Sequence, residues 1–410
     1  MAVVCHGMKC FAMKKTLLHI AKYYHPNEGG IETVTKYLAE GLSEYDNVVV
    51  CFSQDGHDSE EEINGVRVYR VAPLIKVASQ DIALSYHKVL KRIIKENHPD
   101  VLLLHCPNPF LYPITLHLKP KNAKLVLLWH SDILGKGWLY KMVSSVERKL
   151  LKKADLILAT SENYVHPSSP IYPYKDEVQI VQNGIIASDF ILKDGDEKRI
   201  EDIKKRFGNK KIVFYVGRHI PYKGIDLLLQ AERKVKADCV FVIGGTGVST
   251  DKLKAMTHSD RVVFIGRIPH DDMRCYYHAA DVFGFASNTK QEAFGIALAE
   301  AMYCKCVPVT FTLVGSGVNW VSINGETGEE VPLADVDAYA AAIDRLLADD
   351  QLRERYAEAG RKRVSELFTC DKSVEEARKA IGILLGLSDN SDQSASSDQS
   401  ASSDQSALSE

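Results

Sequence analysis

Short runs of β-branched and large apolar residues recur along the first half of the chain, at 17–21, 48–52, 101–104, 124–128, 156–159 and 178–181. Between them, at about 31–43, 85–97 and 138–153, apolar residues return every three or four positions. That spacing lays one stripe of a helix against a core. The strand runs are apolar at nearly every position instead of alternating, as a strand covered on both faces requires. Strand and helix in alternation predict a parallel, doubly wound sheet. The pattern breaks at 193–210, a stretch of mostly charged residues that reads as a domain boundary carrying one short helix. It then restarts, with strands at 212–216, 240–243, 262–264, 282–285 and 307–309, and helices near 225–235, 271–279, 294–303, 336–348 and 352–367. The fold class is therefore α/β: two Rossmann-like domains of similar size, at 14–200 and 210–368. The ligand cleft is expected between them, at the carboxyl ends of the strands. From 391 the chain repeats SDQSAS without apolar periodicity, and 388–410 is read as a disordered extension.

Composition narrows the class. Of 410 residues, 45% are hydrophobic and 26% charged, enough to bury a core. Lys and Arg number 51 against 54 Asp and Glu, a net charge of −3, which argues against a polycation built to coat nucleic acid. No apolar run reaches the ~18 residues of a membrane span. The opening MAVVCHGMKCFAMKK lacks the apolar core and small-residue cleavage site of a signal peptide, and Met13 is an alternative start. The nine cysteines include no Cys-x-x-Cys pair, so reduced thiols and a cytoplasmic setting are expected.

Several fingerprints are missing. No Gly-x-Gly-x-x-Gly follows the first strand, and Gly244-Gly245-Thr246-Gly247 lacks the third glycine of a dinucleotide site. There is no P-loop, no His-Glu-x-x-His and no Gly-x-Ser-x-Gly elbow. Of two Asp-x-Asp pairs, Asp194/Asp196 lies in the charged linker and Asp335/Asp337 precedes a helix, where acids suit the dipole. No metal site is expected.

Four segments carry candidate chemistry. Gly29 and Gly30, with Glu32, join the first strand to a helix whose free N–H groups favour an anion. Arg218 and Lys223 follow the first strand of the second series; Arg218 can fork two phosphate oxygens and Lys223 adds a point charge. A solvated basic loop is the competing reading. Glu292 and Glu300 flank the start of a helix at Phe294, Gly295 and Ile296, with Phe294 and Glu300 about 9 Å apart along the axis. Carboxylates so spaced cannot share one reacting carbon, but they can grip two hydroxyl-bearing ends of one ligand, with backbone N–H groups between. A capped surface helix is the alternative. His130-Ser131-Asp132 ends a buried strand and points a polar trio at the cleft; a backbone-satisfied histidine is the alternative.

Gly-Gly-x-Glu after the first strand, Arg-x4-Lys in the second half and Glu-x7-Glu beyond it together resemble the retaining glycosyltransferases of family 4, with the GT-B fold, over about 17–386. The resemblance implies that Gly29 and Gly30 approach the donor phosphates, and that Arg218 and Lys223 neutralise the departing diphosphate. Glu292 would hold sugar hydroxyls and Glu300 the ribose, while Phe294, Gly295 and Ile296 supply backbone contacts. The segment Gly266-Arg267-Ile268 would read the nucleobase, and His130 would lie near the transferred sugar. The last helix, at 369–387, would cross back onto the first domain. The implied donor is a UDP- or GDP-linked sugar used without a metal or other cofactor, and the acceptor a glycan or a polyprenyl-linked sugar. With no nucleophile and acid pair about 5 Å apart, no covalent intermediate is assigned. The helix at 138–153 carries Lys141, Arg148, Lys149, Lys152 and Lys153 opposite Trp138, Leu139, Met142, Val143, Val146, Leu150 and Leu151. It is either a membrane-surface helix, placing the enzyme on the cytoplasmic face of the inner membrane, or a helix packed on its sheet. The alternatives to a transferase are a non-catalytic sugar-nucleotide or glycan-binding subunit, a GT-B epimerase, or a phosphorylase, for which no pyridoxal-phosphate lysine can be singled out.

Overall fold

The computed structural model describes residues 14–27, 29–77, 80–133 and 137–387. The expected disordered tail lies outside them, as does the choice of start residue. The first unit comprises β1 (Thr16–Ile20), α1 (Gly30–Gly41), β2 (Asp46–Phe52), β3 (Ser59–Ile63), β4 (Val66–Val71), the small hairpin β5 (Ile75–Val77) and β6 (Gln80–Ile82), α2 (Tyr86–Asn97), β7 (Val101–Cys106), α3 (Leu111–Leu118), β8 (Lys124–Trp129), α4 (Gly137–Lys153), β9 (Leu156–Ala159) and β10 (Val178–Ile180). Its eight-stranded sheet runs β10-β9-β8-β7-β1-β2-β4-β3, parallel except for β3 against β4. The central strands β1 and β7 are buried at every residue, which is why their sequences do not alternate.

The sequence reading missed β3 because SEEEI has no apolar face. It is an exposed edge strand, paired to β4 through an Asn64-Gly65 turn with both residues at positive φ. Four glutamates or serines on that edge also keep it from pairing with another chain.

The second unit comprises α5 (Asp196–Arg206), β11 (Lys211–Val216), α6 (Ile225–Glu232), β12 (Cys239–Gly244), α7 (Thr250–Ala255), β13 (Val262–Gly266), α8 (His270–Ala279), β14 (Val282–Phe285), α9 (Ile296–Tyr303), β15 (Val307–Phe311), α10 (Val318–Val321), β16 (Glu329–Val331), α11 (Val336–Ala348) and α12 (Asp350–Leu367). Its six strands, ordered β13-β12-β11-β14-β15-β16, are all parallel. Helix α5, which boundaries at 200 and 210 would divide, is held whole against this unit. The Arg274 guanidinium on α8 forks onto Asp196 at 2.5 and 3.1 Å, with both side chains buried. Those hydrogen bonds hold the Asp196 carboxyl down at about 2. The chain therefore passes to the second unit upstream of α5, not within it. The other Asp-x-Asp pair is also structural: Asp335 caps α11 by accepting from the Ala338 N–H at 2.9 Å, and Asp337 pairs with Lys234.

The last helix, α13 (Cys370–Leu384), returns to the first unit, as expected. Val374, Ala377, Ala380 and Ile381 share an apolar cluster with Val34, Tyr37 and Leu38 of α1. Gly41 admits this contact, since a Cβ there would lie 2.6 Å from Val374. Helix α4 packs as a sheet helix: Leu150 and Leu151 are core residues, Val143 and Val146 pack on the same core, and its basic side chains stay exposed. The side chains of Trp138, Leu139 and Met142 lie outside what the structure describes.

Replacing Asp196 by Ala leaves the Arg274 charge buried without its partner, a loss of about 3–5 kcal/mol. Calorimetry of the purified chain is expected to show an unfolding transition shifted down accordingly, with Glu201→Ala, an exposed change on the same helix, near neutral.

Candidate active site

The site is built at the carboxyl ends of strands from both sheets. After β11 the chain runs through Gly217 and Arg218, turns once at Pro221–Lys223, and enters α6 at Gly224. Gly224 has φ +63, and a Cβ there would sit 1.9 Å from the Ala286 carbonyl oxygen. Only glycine lets the turn lie on the end of β14. That approach carries Lys223 to Glu292, and the two form an ion pair with only 14% and 11% of their side chains exposed. Ser287 donates to the same Glu292 Oε2 at 2.9 Å, and Ser316 Oγ donates to the Glu292 carbonyl. Burial opposes the charge on Lys223; the Glu292 carboxylate more than offsets it and holds the ammonium above the ordinary lysine value. Lys223 also lies over the Tyr222 and Phe285 rings, 5.4 and 5.7 Å from their centroids. Arg218 is exposed, and its charge reaches Lys223 and, across the junction, Lys22 at the end of β1.

The Gly244–Gly247 loop, rejected as a dinucleotide fingerprint, braces this turn. A Cβ on Gly245 would meet the Gly217 carbonyl oxygen at 2.0 Å, and one on Gly247 the His219 carbonyl oxygen at 2.5 Å. His219, buried, bonds Thr250 Oγ1 at 3.0 Å and the Gly244 carbonyl at 3.2 Å, tying the two loops together. Ile268 packs into the same core against Gly244.

Two helix starts meet at the junction. Helix α9 begins at Ile296, two residues later than expected, because Gly295 takes a left-handed φ of 91° as its cap and Phe294 turns into the core, edge-on to Phe368. Helix α1 begins at Gly30, and a Cβ on Gly30 would touch Ile296 Cδ1 at 3.2 Å. Gly29 leaves room for the Glu32 carboxylate to fold back beside the helix start. Glu300, further along α9, accepts from the Tyr277 hydroxyl at 2.8 Å; burial pushes its carboxyl up.

Two residues that the sequence reading did not pair close the junction. Lys290 donates to Asp132 Oδ2 at 2.7 Å and to the Ser168 carbonyl at 2.9 Å. Asp132, almost wholly buried, also accepts from Trp129 Nε1 at 2.9 Å and from Ser169 Oγ at 3.0 Å. Lys290 stands two residues before Glu292, and Asp132 two residues after His130. Both segments stand out in the sequence, but a pairing between residues 158 positions apart leaves no local signal. Ala293 extends the seam by packing into the apolar cluster around Trp129 of the first unit.

His130 is buried, with Nε2 3.1 Å from His105 Nδ1. His105 in turn lies 3.3 Å from His19 Nδ1 through its Nε2. Burial holds His19 near 4 and His130 near 3, and His105 well below the usual histidine range, the last with help from its two histidine neighbours. Among the described residues, no group of three or more His, Cys, Asp or Glu side chains could hold a metal ion.

Comparison with known proteins agrees with this architecture. The model for glycosyltransferase family 4 matches residues 28–188, and that for glycosyl transferases group 1 matches 196–363. A D-rhamnosyltransferase of Pseudomonas aeruginosa, WbpZ, is 30% identical over 364 residues, covering 86% of this chain and 92% of that protein. The chain is a family 4 glycosyltransferase. The O-antigen chain mannosyltransferase C of Escherichia coli is 29% identical to this glycosyltransferase over 366 residues, 88% of this chain and 96% of that one. A sucrose-phosphate synthase from Thermosynechococcus elongatus shares the fold, with a TM-score of 0.74 at 19% identity across 91% of this chain and 100% of that one. In the glycosyltransferase the two matched segments meet between β10 and α5, where the packing also divides the units.

Three neutral buried histidines make stability depend on pH. Below about pH 6.5 the unfolded chain takes up protons there that the folded protein refuses, His19 until about pH 4 and His130 until about pH 3, with His105 also held well below the usual range. Stability present at neutral pH is lost as the pH falls, by about 1.4 kcal/mol per pH unit for each histidine. Urea midpoints are expected to drop between about pH 7.5 and 5.5, with a shallower slope in His19→Leu.

Proposed function

We propose that this glycosyltransferase moves a mannose-type hexose from a UDP- or GDP-linked donor to a glycan or polyprenyl-linked acceptor in polysaccharide synthesis. Transfer retains configuration and needs no metal. The observation that carries the reading is the buried Lys223–Glu292 pair beside Arg218, next to the starts of α1 and α9. The names of the mannosyl- and rhamnosyltransferase relatives support the class of sugar and the polysaccharide setting.

The chemistry follows from charge. Breaking the anomeric C–O bond leaves an oxocarbenium-like carbon and sends the electron pair to the diphosphate. Stabilising that dianion is the main electrostatic task. Lys223 and Arg218 supply two positive charges, and the N–H groups at Gly29, Gly30, Phe294, Gly295 and Ile296 supply dipoles. Among the described residues, both hydrogen bonds to the Glu292 carboxylate use Oε2, which leaves Oε1 to accept from sugar hydroxyls. Glu300 holds the ribose, the backbone at Ile268 reads the base, and His130 lies by the sugar. The acceptor hydroxyl attacks the face the diphosphate leaves, and a diphosphate oxygen takes its proton.

Contact with the membrane is better placed on the β5–β6 hairpin than on α4. Leu74, Ile75, Val77 and Leu84 are exposed, by 66%, 53%, 47% and 79%. Leu84 continues into an exposed row of Lys88, Lys91 and Lys95 on α2. Apolar side chains beside a cationic row suit an anionic lipid surface. Tyr23, at the end of β1, hydrogen-bonds Asp81 and Lys76 of this hairpin, so the surface borders the cleft.

Thermal-shift titration with UDP, GDP, ADP and dTDP in the presence of EDTA tests the donor. One diphosphate is expected to stabilise by about 2.7 kcal/mol at a hundredfold excess over its Kd. Arg218→Ala is expected to lose that shift, and a requirement for added Mg²⁺ would count against the metal-free reading. Lys223→Ala is expected to lower turnover by about 100-fold. For the hairpin, Leu74→Asp with Leu84→Asp is expected to abolish co-sedimentation with phosphatidylglycerol vesicles while leaving nucleotide binding unchanged.

A further inference from the structure

The proposed reaction uses His130 and leaves His19 and His105 without a task, although the three form one buried row. They sit on β1, on β7 and directly after β8, three adjacent strands. Ring centroids are 5.6 Å apart from His19 to His105 and 5.3 Å from His105 to His130, and the planes of the latter pair are 20° apart.

The protons in this row are determined from one end. Asn47 Nδ2 faces two carbonyls, of Leu42 at 2.7 Å and Tyr45 at 3.3 Å, so it donates and Asn47 Oδ1 accepts. His19 Nε2, 3.2 Å from Oδ1, therefore carries a proton. Neutral His19 then has its lone pair on Nδ1, and His105 Nε2, 3.3 Å away, must donate to it. That leaves the lone pair of His105 on Nδ1. Thr35 Oγ1 and His130 Nε2 face that atom at 3.2 and 3.1 Å. The Thr35 hydroxyl has an acceptor of its own, the Ile31 carbonyl at 2.9 Å. Two lone pairs do not oppose one another at 3.1 Å, so His130 Nε2 carries a proton. His130 Nδ1 is then a bare acceptor, buried, with no partner among the described residues. A buried acceptor without a donor costs free energy until a ligand or water supplies one.

We propose that His105, backed by His19, Asn47 and Thr35, is a positioning residue for glycosyl transfer: it fixes His130 as the Nε2–H tautomer, so that Nδ1 is presented as an acceptor to a hydroxyl of the donor sugar. The proposal rests on the reading of His130 as sugar-facing. Thr35 lies on α1, the helix that begins at Gly30, so the same element carries the phosphate-facing start and one neighbour of the row. A donor sugar lacking that hydroxyl, or carrying fluorine in its place, leaves Nδ1 unpaired.

The test uses the full chain labelled with ¹⁵N-histidine and long-range ¹H–¹⁵N correlation at neutral pH. The His130 signal is the one that disappears in His130→Asn. Wild type is expected to show His130 as Nε2–H with an unprotonated Nδ1, and His105→Leu to show a mixture of tautomers. A wild-type His130 carrying its proton on Nδ1 overturns the proposal. In parallel, release of GDP from GDP-mannose is measured. His105→Leu is expected to lower kcat by about 10- to 100-fold with KM changed by less than about twofold, and His105→Gln, whose amide oxygen still accepts from Nε2, to recover most of it. Wild-type kcat in a folded His105→Leu overturns the proposal, whereas wild-type kcat in His130→Asn overturns the sugar-facing reading beneath it. If His105→Leu does not fold, or GDP-mannose is not turned over, His19→Phe must shift the same His130 signal, and its failure to do so overturns the proposal.

Discussion

A lysine and a glutamate cannot be buried together cheaply unless each is the other's counter-ion, and the Lys223–Glu292 pair meets that condition at the end of the second sheet. Much of the surrounding structure keeps the two in register. Gly224 allows the turn after β11 to touch β14, and Ser287 fixes the carboxylate. Ser316 holds the Glu292 backbone, and the glycines at 245 and 247 clamp the turn from the other side. In the proposed reaction the second oxygen of that carboxylate and the exposed Arg218 beside it face a ligand that carries both hydroxyls and negative charge.

The two sheets have separate cores, so the cleft depends on what joins them. One joint is the return of α13 onto α1. Another is local to the chemistry: Asp132 and Lys290 stand two residues from His130 and Glu292 respectively, on opposite sides of the seam. A buried carboxylate held by Trp129, Ser169 and a lysine from the other unit resists displacement, because parting the units strands a charge in a poorly solvated place.

The two halves differ in electrostatic character. The second unit presents fixed positive charge where a diphosphate would lie. The first presents neutral, buried imidazoles whose proton positions are set by an asparagine on β2. Charge suits a leaving group that gains it; neutral hydrogen-bond directionality suits a sugar, which differs from its isomers only in where hydroxyls point.

Most of this architecture was legible in the chain. Fully apolar strand runs alternating with amphipathic helices identify two covered parallel sheets, and glycines placed after strands identify the turns, because these patterns are local and repeat. Local reading failed where burial did not decide: SEEEI became an edge strand only because β4 was there to pair with it, and α5 joined the second unit through Arg274, 78 residues away from Asp196. Gly29, Gly30, Arg218, Lys223, Glu292 and His130 stand out in the sequence as candidates because their types and positions suit an anion or a sugar. What joined them was not: Lys223 to Glu292, Lys290 to Asp132, and His130 through His105 to His19 are contacts between elements far apart in sequence. The sequence by itself determined the strands, the turns and the kinds of side chain at their ends. The tertiary structure decided which of those side chains meet, because that depends on strand order and register, which no local pattern of hydrophobicity records.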